Sequence, residues 1–287
     1  MIGITGASGA LGRATAEAVL QVVDPRQVVL TTRTPKELAD LAARGAQVRQ
    51  ADFNDLHYVT PALDGVDRLL LISTDQIGAR LHQHLSAIAA AAAAAAGVSH
   101  IVYTSLPEPV PANPAVVAAD HNGTEQALRE SGLRWTMLRN HLYAHLQIPV
   151  VEQAAVSGRL VTNSGDGTAA YVTREDCAAV AAAVLTQDGY ANQILDVGGP
   201  EEISAHDLLV LAQEISGRDV ELVAVDDLEF ADGLRSAGLP DPVAQLLTSF
   251  GAATRDGYLA GVTSTVADLT GRAPTRFADV VRAALAA

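Results

Sequence analysis

Short runs of apolar residues recur along the first half of the chain, separated by segments with helical spacing or turn residues. Six of these runs have the length of a buried strand: MIGIT, QVVLTTR, AQVRQAD, DRLLLIS, HIVYTSL and LRWTMLR. This alternation predicts a parallel sheet covered by helices on both faces, with right-handed crossover connections. Because ligands of such sheets bind outside the carboxyl ends of the strands, the residues that end each strand are the first candidates for function.

The pattern becomes less regular after residue 150. The segment GRLVTNSGDGTAAYVTREDCAAVAAAVL predicts a short strand, a glycine turn and a helix, and ANQILDV predicts a strand near residues 192–198 that returns to the sheet. From Ser204 onward, helical segments and the turn GLPDP follow. We therefore predict an α/β chain with a doubly wound domain over residues 1–150 and a smaller, mostly helical substrate-binding region over residues 151–287.

A glycine-rich turn, GASGALG, joins the first predicted strand to the first predicted helix. Gly6 allows the sharp turn off the strand, Gly9 lets the backbone approach a pyrophosphate, and Gly12 lets the helix pack closely on the sheet. The helix N-terminus adds free N–H groups and a positive dipole. The turn therefore predicts a Rossmann-type dinucleotide site formed by Gly6, Ala7, Ser8, Gly9, Ala10, Leu11 and Gly12. The first two glycines are three residues apart rather than two, and a glycine turn without a ligand is the alternative interpretation.

Arg33 ends the second predicted strand, 21 residues beyond Gly12. A dinucleotide fold places the group that contacts the adenosine ribose here, and an arginine pairs with a 2′-phosphate where a carboxylate would bind the free hydroxyls. The position therefore favours NADPH over NADH, and a solvated arginine is the alternative. Asp52 ends the third predicted strand and is expected either to accept a hydrogen bond from adenine or to cap the next helix.

The composition narrows the class of protein. The chain has 287 residues and a net charge of −14, which argues against a nucleic-acid or anionic-membrane partner because either requires a basic face. Cys177 is the single cysteine, so an internal disulfide and a zinc site built from several thiolates are excluded, and we expect no metal site. Cys177 lies in a helical pattern and is expected to be a buried apolar residue. We predict a cytoplasmic protein.

Several segments together resemble the NmrA-like group of atypical short-chain dehydrogenases/reductases, and within it the bacterial NAD(P)H:quinone oxidoreductases of type 2. They are MIGITGASGALG, VRQADFND, LLLIST, YTSL, TEQALRESGLRWTMLRNHLY and GDGTAAYVTREDCA. The resemblance is collinear over nearly the whole chain. It implies an NADPH site made by the glycine turn, Arg33, the end of the fourth strand (Ser73, Thr74, Asp75 and Gln76) and the segment after the sixth strand (Leu138, Arg139, Asn140, His141, Leu142 and Tyr143).

Four residues are candidates for the chemistry. Asn140 and Tyr143 are expected to face the nicotinamide or the substrate carbonyl, with ordinary strand-end packing as the alternative. Relatives that reduce ketones carry a tyrosine four residues before a lysine, but here these positions are Val117 and His121. Ser105 remains at the end of the fifth strand. His121 is expected either to orient the cofactor ribose or the substrate, or to be a polar residue near a helix start.

The resemblance implies an NADPH-dependent reductase that passes hydride to a quinone or a similarly electrophilic small molecule. An NADP-binding redox sensor without turnover and a reductase of ketones, imines or dyes are the alternatives, and a homodimer is compatible with the sequence. Two further features remain open. The proline-rich segment 107–114 is expected to be a loop that either borders the substrate pocket or is an inert surface loop. His82 and His84 are interpreted as surface or substrate-side polar residues.

Overall fold

Seven parallel strands form the central sheet of the computed structural model, which describes residues 1–74, 76, 78–93 and 97–285. The sheet strands are β1 (Ile2–Ile4), β2 (Val28–Thr32), β3 (Gln47–Gln50), β4 (Arg68–Leu71), β5 (His100–Ser105), β6 (Arg134–Asn140) and β9 (Gln193–Val197). Their order is β3-β2-β1-β4-β5-β6-β9. The order reverses at β1 and β4, which is where doubly wound folds bind ligands. The predicted fold class is thus confirmed, including the strand that returns from beyond residue 150.

Helices cover both faces of this sheet because successive strand residues point to opposite sides. Leu70 contributes to the cluster formed with α1 and α7, whereas Leu69 and Leu71 contribute to the cluster formed with α3 and α4. The helices of the first half are α1 (Ala10–Val19), α2 (Ala39–Ala43), α3 (Leu56–Ala62), α4 (Arg80–Ala93) and α5 (Ala118–Glu130). The alanine-rich α4 presents small buried residues such as Ala87 and Ala91 to the sheet, which lets it pack closely.

The second half adds helices and two small sheets. Its helices are α6 (Ile148–Ser157), α7 (Arg174–Thr186), α8 (Ala205–Ser216), α9 (Asp227–Ser236), α10 (Asp241–Arg255), α11 (Thr265–Thr270) and α12 (Phe277–Leu285). The strands β7 (Arg159–Thr162) and β11 (Glu221–Ala224) pair in parallel, and β8 (Thr168–Ala169) and β10 (Ile203–Ser204) pair antiparallel. A separate apolar cluster holds α6, α8, α10 and α12 together. The boundary at residue 150 remains a prediction.

The helix α7 packs beside α1 on the main sheet, so the second half contributes a helix as well as β9 to the doubly wound layer. Cys177 lies on this helix and is 1% exposed. Burial raises the pKa of its thiol, which therefore stays protonated as a packing residue. Over the part of the chain that the structure describes, no helix is both long and apolar enough to cross a membrane.

Candidate active site

A cavity of about 560 Å³ opens at the carboxyl ends of β1 to β4, where the strand order reverses. Its lining comes from the glycine turn, the ends of β2, β3 and β4, Gln83 of α4, Tyr143 after β6 and Arg174 of α7. A second depression, of about 590 Å³, lies at the opposite, amino ends of the strands, around Met1, Val22 and Arg68. The cavity at the carboxyl ends of the strands is the candidate site, because it lies at the topological switch point and is lined by backbone N–H groups and cations.

The glycine turn has the geometry of an anion site. Gly6 has a φ of +57°, a conformation that glycine adopts without strain. A Cβ on Gly12 would lie 2.3 Å from the Gly6 carbonyl oxygen, so only glycine permits this close approach of helix to strand. A Cβ on Gly9 would meet only that same oxygen, at 3.3 Å. The first i→i−4 bond of α1 runs from Arg13 N–H to Gly9 O, which leaves the preceding N–H groups of the helix available to a ligand. The first turn of α1 carries no acidic residue.

One wall of the cavity is formed by residues that end β2 and β3. Arg33 lines the cavity and is exposed. The Ser8 hydroxyl lies 2.8 Å from the Thr32 hydroxyl and ties the glycine turn to β2. Asp52 also lines the cavity, and its carboxylate accepts hydrogen bonds from the backbone and side-chain nitrogens of Asn54, both at 3.0 Å. The helix-cap alternative for Asp52 is wrong, because Asp55 caps α3 through its bond from His57 N–H.

Ser73, Thr74 and Gln76 line the cavity at the end of β4, whereas Asp75, which the resemblance also implied, lies outside the described residues. Sequence analysis missed Gln83 on α4. Its side-chain nitrogen donates to Gln76 Oε1 at 2.6 Å and to an oxygen of Asn54 at 3.0 Å. These amides join the ends of β3 and β4.

Tyr143 is the one residue of the predicted segment 138–143 whose side chain lines the cavity. The Arg174 guanidinium lies over its ring, 5.1 Å from the centroid. Sequence analysis missed Arg174, although a signal existed: it is the first residue of α7, where a cation opposes the helix dipole. Burial raises the pKa of Tyr143, so the phenol keeps its proton. Asn140 is 6% exposed and lies beside Tyr143, yet neither of its amide atoms makes a hydrogen bond within the described chain.

Ser105 and Arg139 point away from the cavity, toward the buried carboxylate of Glu125. The Ser105 hydroxyl donates to Glu125 Oε1 at 2.7 Å, and Arg139 donates to both carboxylate oxygens at 3.0 Å. Arg129 adds a further bond at 2.9 Å. This corrects the expectation that Ser105 acts on substrate and Arg139 on cofactor. A buried carboxylate needs hydrogen-bond donors, and Ser105 and Arg139 supply them to Glu125. Their side chains are therefore engaged away from the cavity.

His121 does not face the cavity either. It is 6% exposed, and its Nδ1 lies 2.7 Å from the Tyr103 hydroxyl, inside the layer between β5 and α5. Burial is the main cause that lowers the pKa of His121 to about 3, with Arg80 contributing. The expectation that His121 orients cofactor or substrate is corrected by this placement. His84 is also fully buried, so its interpretation as a surface or substrate-side residue is wrong.

The remaining predicted cofactor residues serve packing. Ala7 and Leu138 are fully buried in the cluster formed with α1, and Leu142 belongs to the cluster of the second half. His141 is 4% exposed, and its Nδ1 lies 3.3 Å from the Leu259 carbonyl oxygen. The loop 107–114 does not line the cavity. Asn113 Nδ2 donates to the Glu108 carbonyl oxygen at 2.9 Å and folds the loop onto itself.

Comparison with known proteins identifies the protein family to which this chain belongs. A family model described as NAD(P)H-binding matches residues 6–188, so the chain belongs to the NAD(P)H-binding family. The chain is similar to quinone oxidoreductase 2 of Escherichia coli K12, with 38% identity over 284 residues, 98% of this chain and 97% of that protein. The predicted family relationship is confirmed.

Two solved structures are similar over nearly their full length. The NADPH-dependent quinone oxidoreductase from Escherichia coli, solved in complex with NADPH, superposes with a TM-score of 0.94 at 36% identity, covering 99% of each chain. The Citrobacter sp. triphenylmethane reductase, solved with NADP(H), superposes with a TM-score of 0.89 at 30% identity, covering 99% of this chain and 100% of that one.

Proposed function

We propose that this protein is an NADPH-dependent oxidoreductase that passes hydride to a quinone or a similarly electrophilic acceptor. The observation that carries the proposal is the cavity at the strand switch point, which joins a glycine turn with an exposed arginine at the end of β2. The similarity to quinone oxidoreductase 2 supports the same assignment.

The residues of the cavity fit a phosphorylated dinucleotide. The free N–H groups at the start of α1 and the open space beside Gly9 suit a pyrophosphate. Arg33 suits the 2′-phosphate, since it lines the cavity and forms no salt bridge with any carboxylate that the structure describes. Arg174 brings a second cation from the opposite wall and suits the pyrophosphate. NADPH is therefore the expected cofactor, with NADH a weaker one.

The other half of the cofactor would lie against Tyr143. The flat ring of Tyr143 suits the flat nicotinamide ring. Asn140 lies beside Tyr143 but does not line the cavity, and its carboxamide has no hydrogen-bond partner among the described residues, so we assign it to the support of the cofactor amide. The cofactor supplies a hydride when bound. The protein would place the acceptor against it and exclude water.

Among the described residues that line the cavity near Tyr143, none is a dedicated acid, and a quinone fits such a site better than a ketone does. Hydride transfer to a quinone gives a delocalised hydroquinone anion that water protonates readily, whereas a simple ketone gives a strongly basic alkoxide that needs an acid. Val117 and His121, which stand where ketone-reducing relatives have tyrosine and lysine, do not line the cavity. Tyr143 does line the cavity, but burial raises the pKa of its phenol. Such a phenol is better suited to orienting the substrate than to releasing a proton to it.

The test is to mix the purified protein with NADPH and a panel of quinones, ketones, imines and dyes, and to follow the loss of nicotinamide absorbance. We expect turnover with quinones and much slower turnover with unactivated ketones. Cofactor binding without turnover of any acceptor would support the redox-sensor alternative instead. Better turnover of an azo or triphenylmethane dye than of every quinone would move the assignment to a dye reductase.

We also propose a cytoplasmic location and small-molecule substrates rather than a nucleic-acid partner. The single cysteine and the net charge of −14 support both points. A homodimer is the proposed assembly, and sedimentation analysis of the purified chain tests it.

A further inference from the structure

The backbone that follows β4 is held by side chains from three separate places in the chain: the turn after β1, β5 and α4. We call residues 72–74 the β4 exit segment; all three line the cavity. Their backbone N–H groups donate to Thr5 Oγ1 (2.9 Å, from Ile72), Thr104 Oγ1 (2.8 Å, from Ser73) and His84 Nε2 (3.1 Å, from Thr74). Since β4 ends at Leu71, these N–H groups have left the sheet ladder and depend on side-chain acceptors.

The two peptide groups on either side of the Thr74 Cα are both held by side chains of α4. The Thr74 N–H donates to His84, and the Thr74 carbonyl oxygen accepts a hydrogen bond from Arg80 Nε at 2.6 Å. His84 is fully buried and Arg80 is 7% exposed. Two buried side chains one helical turn apart therefore fix the orientation of the two peptide groups that flank the Thr74 Cα in the cavity wall.

The surroundings of His84 determine which of its nitrogens carries the proton. Thr124 donates its hydroxyl proton to the Asp120 carbonyl oxygen at 2.7 Å, so its oxygen is free to accept from His84 Nδ1 at 2.9 Å. With the proton on Nδ1, Nε2 presents a lone pair to the Thr74 N–H. Burial, with a smaller contribution from Arg80, lowers the pKa of His84 to about 3, which keeps this lone pair free.

We propose that His84 is a positioning residue for the cofactor: by accepting the Thr74 N–H it holds the β4 exit segment in the conformation that binds the dinucleotide. This inference rests on the proposed function, because it assumes that NADPH fills the cavity. Without the acceptor, the Thr74 N–H can turn toward water while the cavity is empty, but a bound cofactor displaces that water. The cost of the unsatisfied N–H then appears on binding.

Two amide variants separate positioning from general stability. In His84→Gln the side-chain oxygen reaches the place of Nε2 and can still accept from Thr74, whereas in His84→Asn it reaches only the place of Nδ1. The matched control is His100→Asn. His100 is also buried, and its Nε2 lies 2.8 Å from the Thr136 hydroxyl. It is the first residue of β5, however, and so lies at the end of the strand away from the cavity.

The dissociation constant of NADPH is measured by titration calorimetry, and thermal unfolding is recorded without cofactor. We expect His84→Asn to raise the Kd roughly 5- to 100-fold, which corresponds to one unsatisfied N–H. His84→Gln should remain within about threefold of the wild type. The control His100→Asn should lower thermal stability but leave the Kd unchanged. Equal Kd values for His84→Asn and His84→Gln, or an equal rise in His100→Asn, would overturn the inference.

A measurement on the wild type keeps the inference testable if His84→Asn fails to fold. Amide hydrogen exchange at Thr74 should be slow in the free protein, and fast exchange there would contradict the proposal. Failure of the proposed function has a different signature, since the wild-type protein itself would then not bind NADPH.

Discussion

Gly9 and Gly12 stand three residues apart in the same turn, yet we expect their substitution to have opposite effects. A Cβ on Gly12 would lie 2.3 Å from the Gly6 carbonyl oxygen and 2.8 Å from Ala7 Cα, so backbone must move. Overpacking of this kind costs about 1–3 kcal/mol. For a domain of this size, that lowers the Tm by roughly 2–12 °C. Gly12→Ala is therefore expected to be mainly a stability variant.

Gly9→Val should instead remove cofactor binding with little loss of stability. Gly9 has an extended backbone (φ −73°, ψ 162°) that valine adopts readily, and a Cβ there meets only one atom, at 3.3 Å. The two added methyl groups would occupy the space proposed for the pyrophosphate. Losing two charge-assisted hydrogen bonds, at about 1.5–3 kcal/mol each, raises the Kd for NADPH at least roughly 100-fold.

The assay pairs thermal unfolding in the absence of cofactor with calorimetric titration of NADPH. Gly233→Ala is the control, because Gly233 lies inside α9 with no neighbour within 4 Å of its added Cβ. It should leave the Kd unchanged and keep or raise the Tm. An unchanged Kd in Gly9→Val would refute the phosphate-site reasoning. Wild-type thermal stability in Gly12→Ala would refute the argument from close approach.

Three further predictions concern Arg33, the pair Asn140 and Tyr143, and the buried His121. Arg33→Asp should weaken NADPH use by about 1.5–3 kcal/mol or more while changing NADH use much less, and equal loss with both cofactors in steady-state kinetics would make Arg33 structural. Replacing Asn140 or Tyr143 by Ala should raise the KM for a small benzoquinone through lost positioning, and an unchanged KM would remove both from the acceptor site. His121→Ala should lower quinone turnover by less than the ~10²-fold expected at minimum for an essential acid. Because its folded pKa of about 3 lies below the unfolded value of 6.5, His121 contributes stability that is present above pH 6.5 and is lost as the pH falls toward 3. Urea unfolding at pH 7 and pH 5 should therefore show a smaller acid destabilisation in His121→Ala than in the wild type.

The local sequence pattern by itself determined those features of this protein that depend only on residues close together in the chain. The alternation of apolar runs predicted the parallel sheet, because each strand buries its own residues on both faces. The glycine turn predicted the anion site, because strand, turn and helix are contiguous. The position of Arg33 followed in the same way, since the end of β2 lies beside the turn in any fold of this order.

Only the tertiary structure decided the roles of residues that meet across the sequence. His84, Tyr103 and His121 come from α4, β5 and α5 and form one buried cluster. Nothing in the local sequence distinguishes these histidines from exposed ones. Ser105 likewise stands at a strand end, where sequence reasoning expects function, but its hydroxyl donates a hydrogen bond to Glu125, which is 20 residues away in the chain. The direction of a side chain at a strand end is set by such distant partners, because a buried polar group must be satisfied by whatever the fold brings to it.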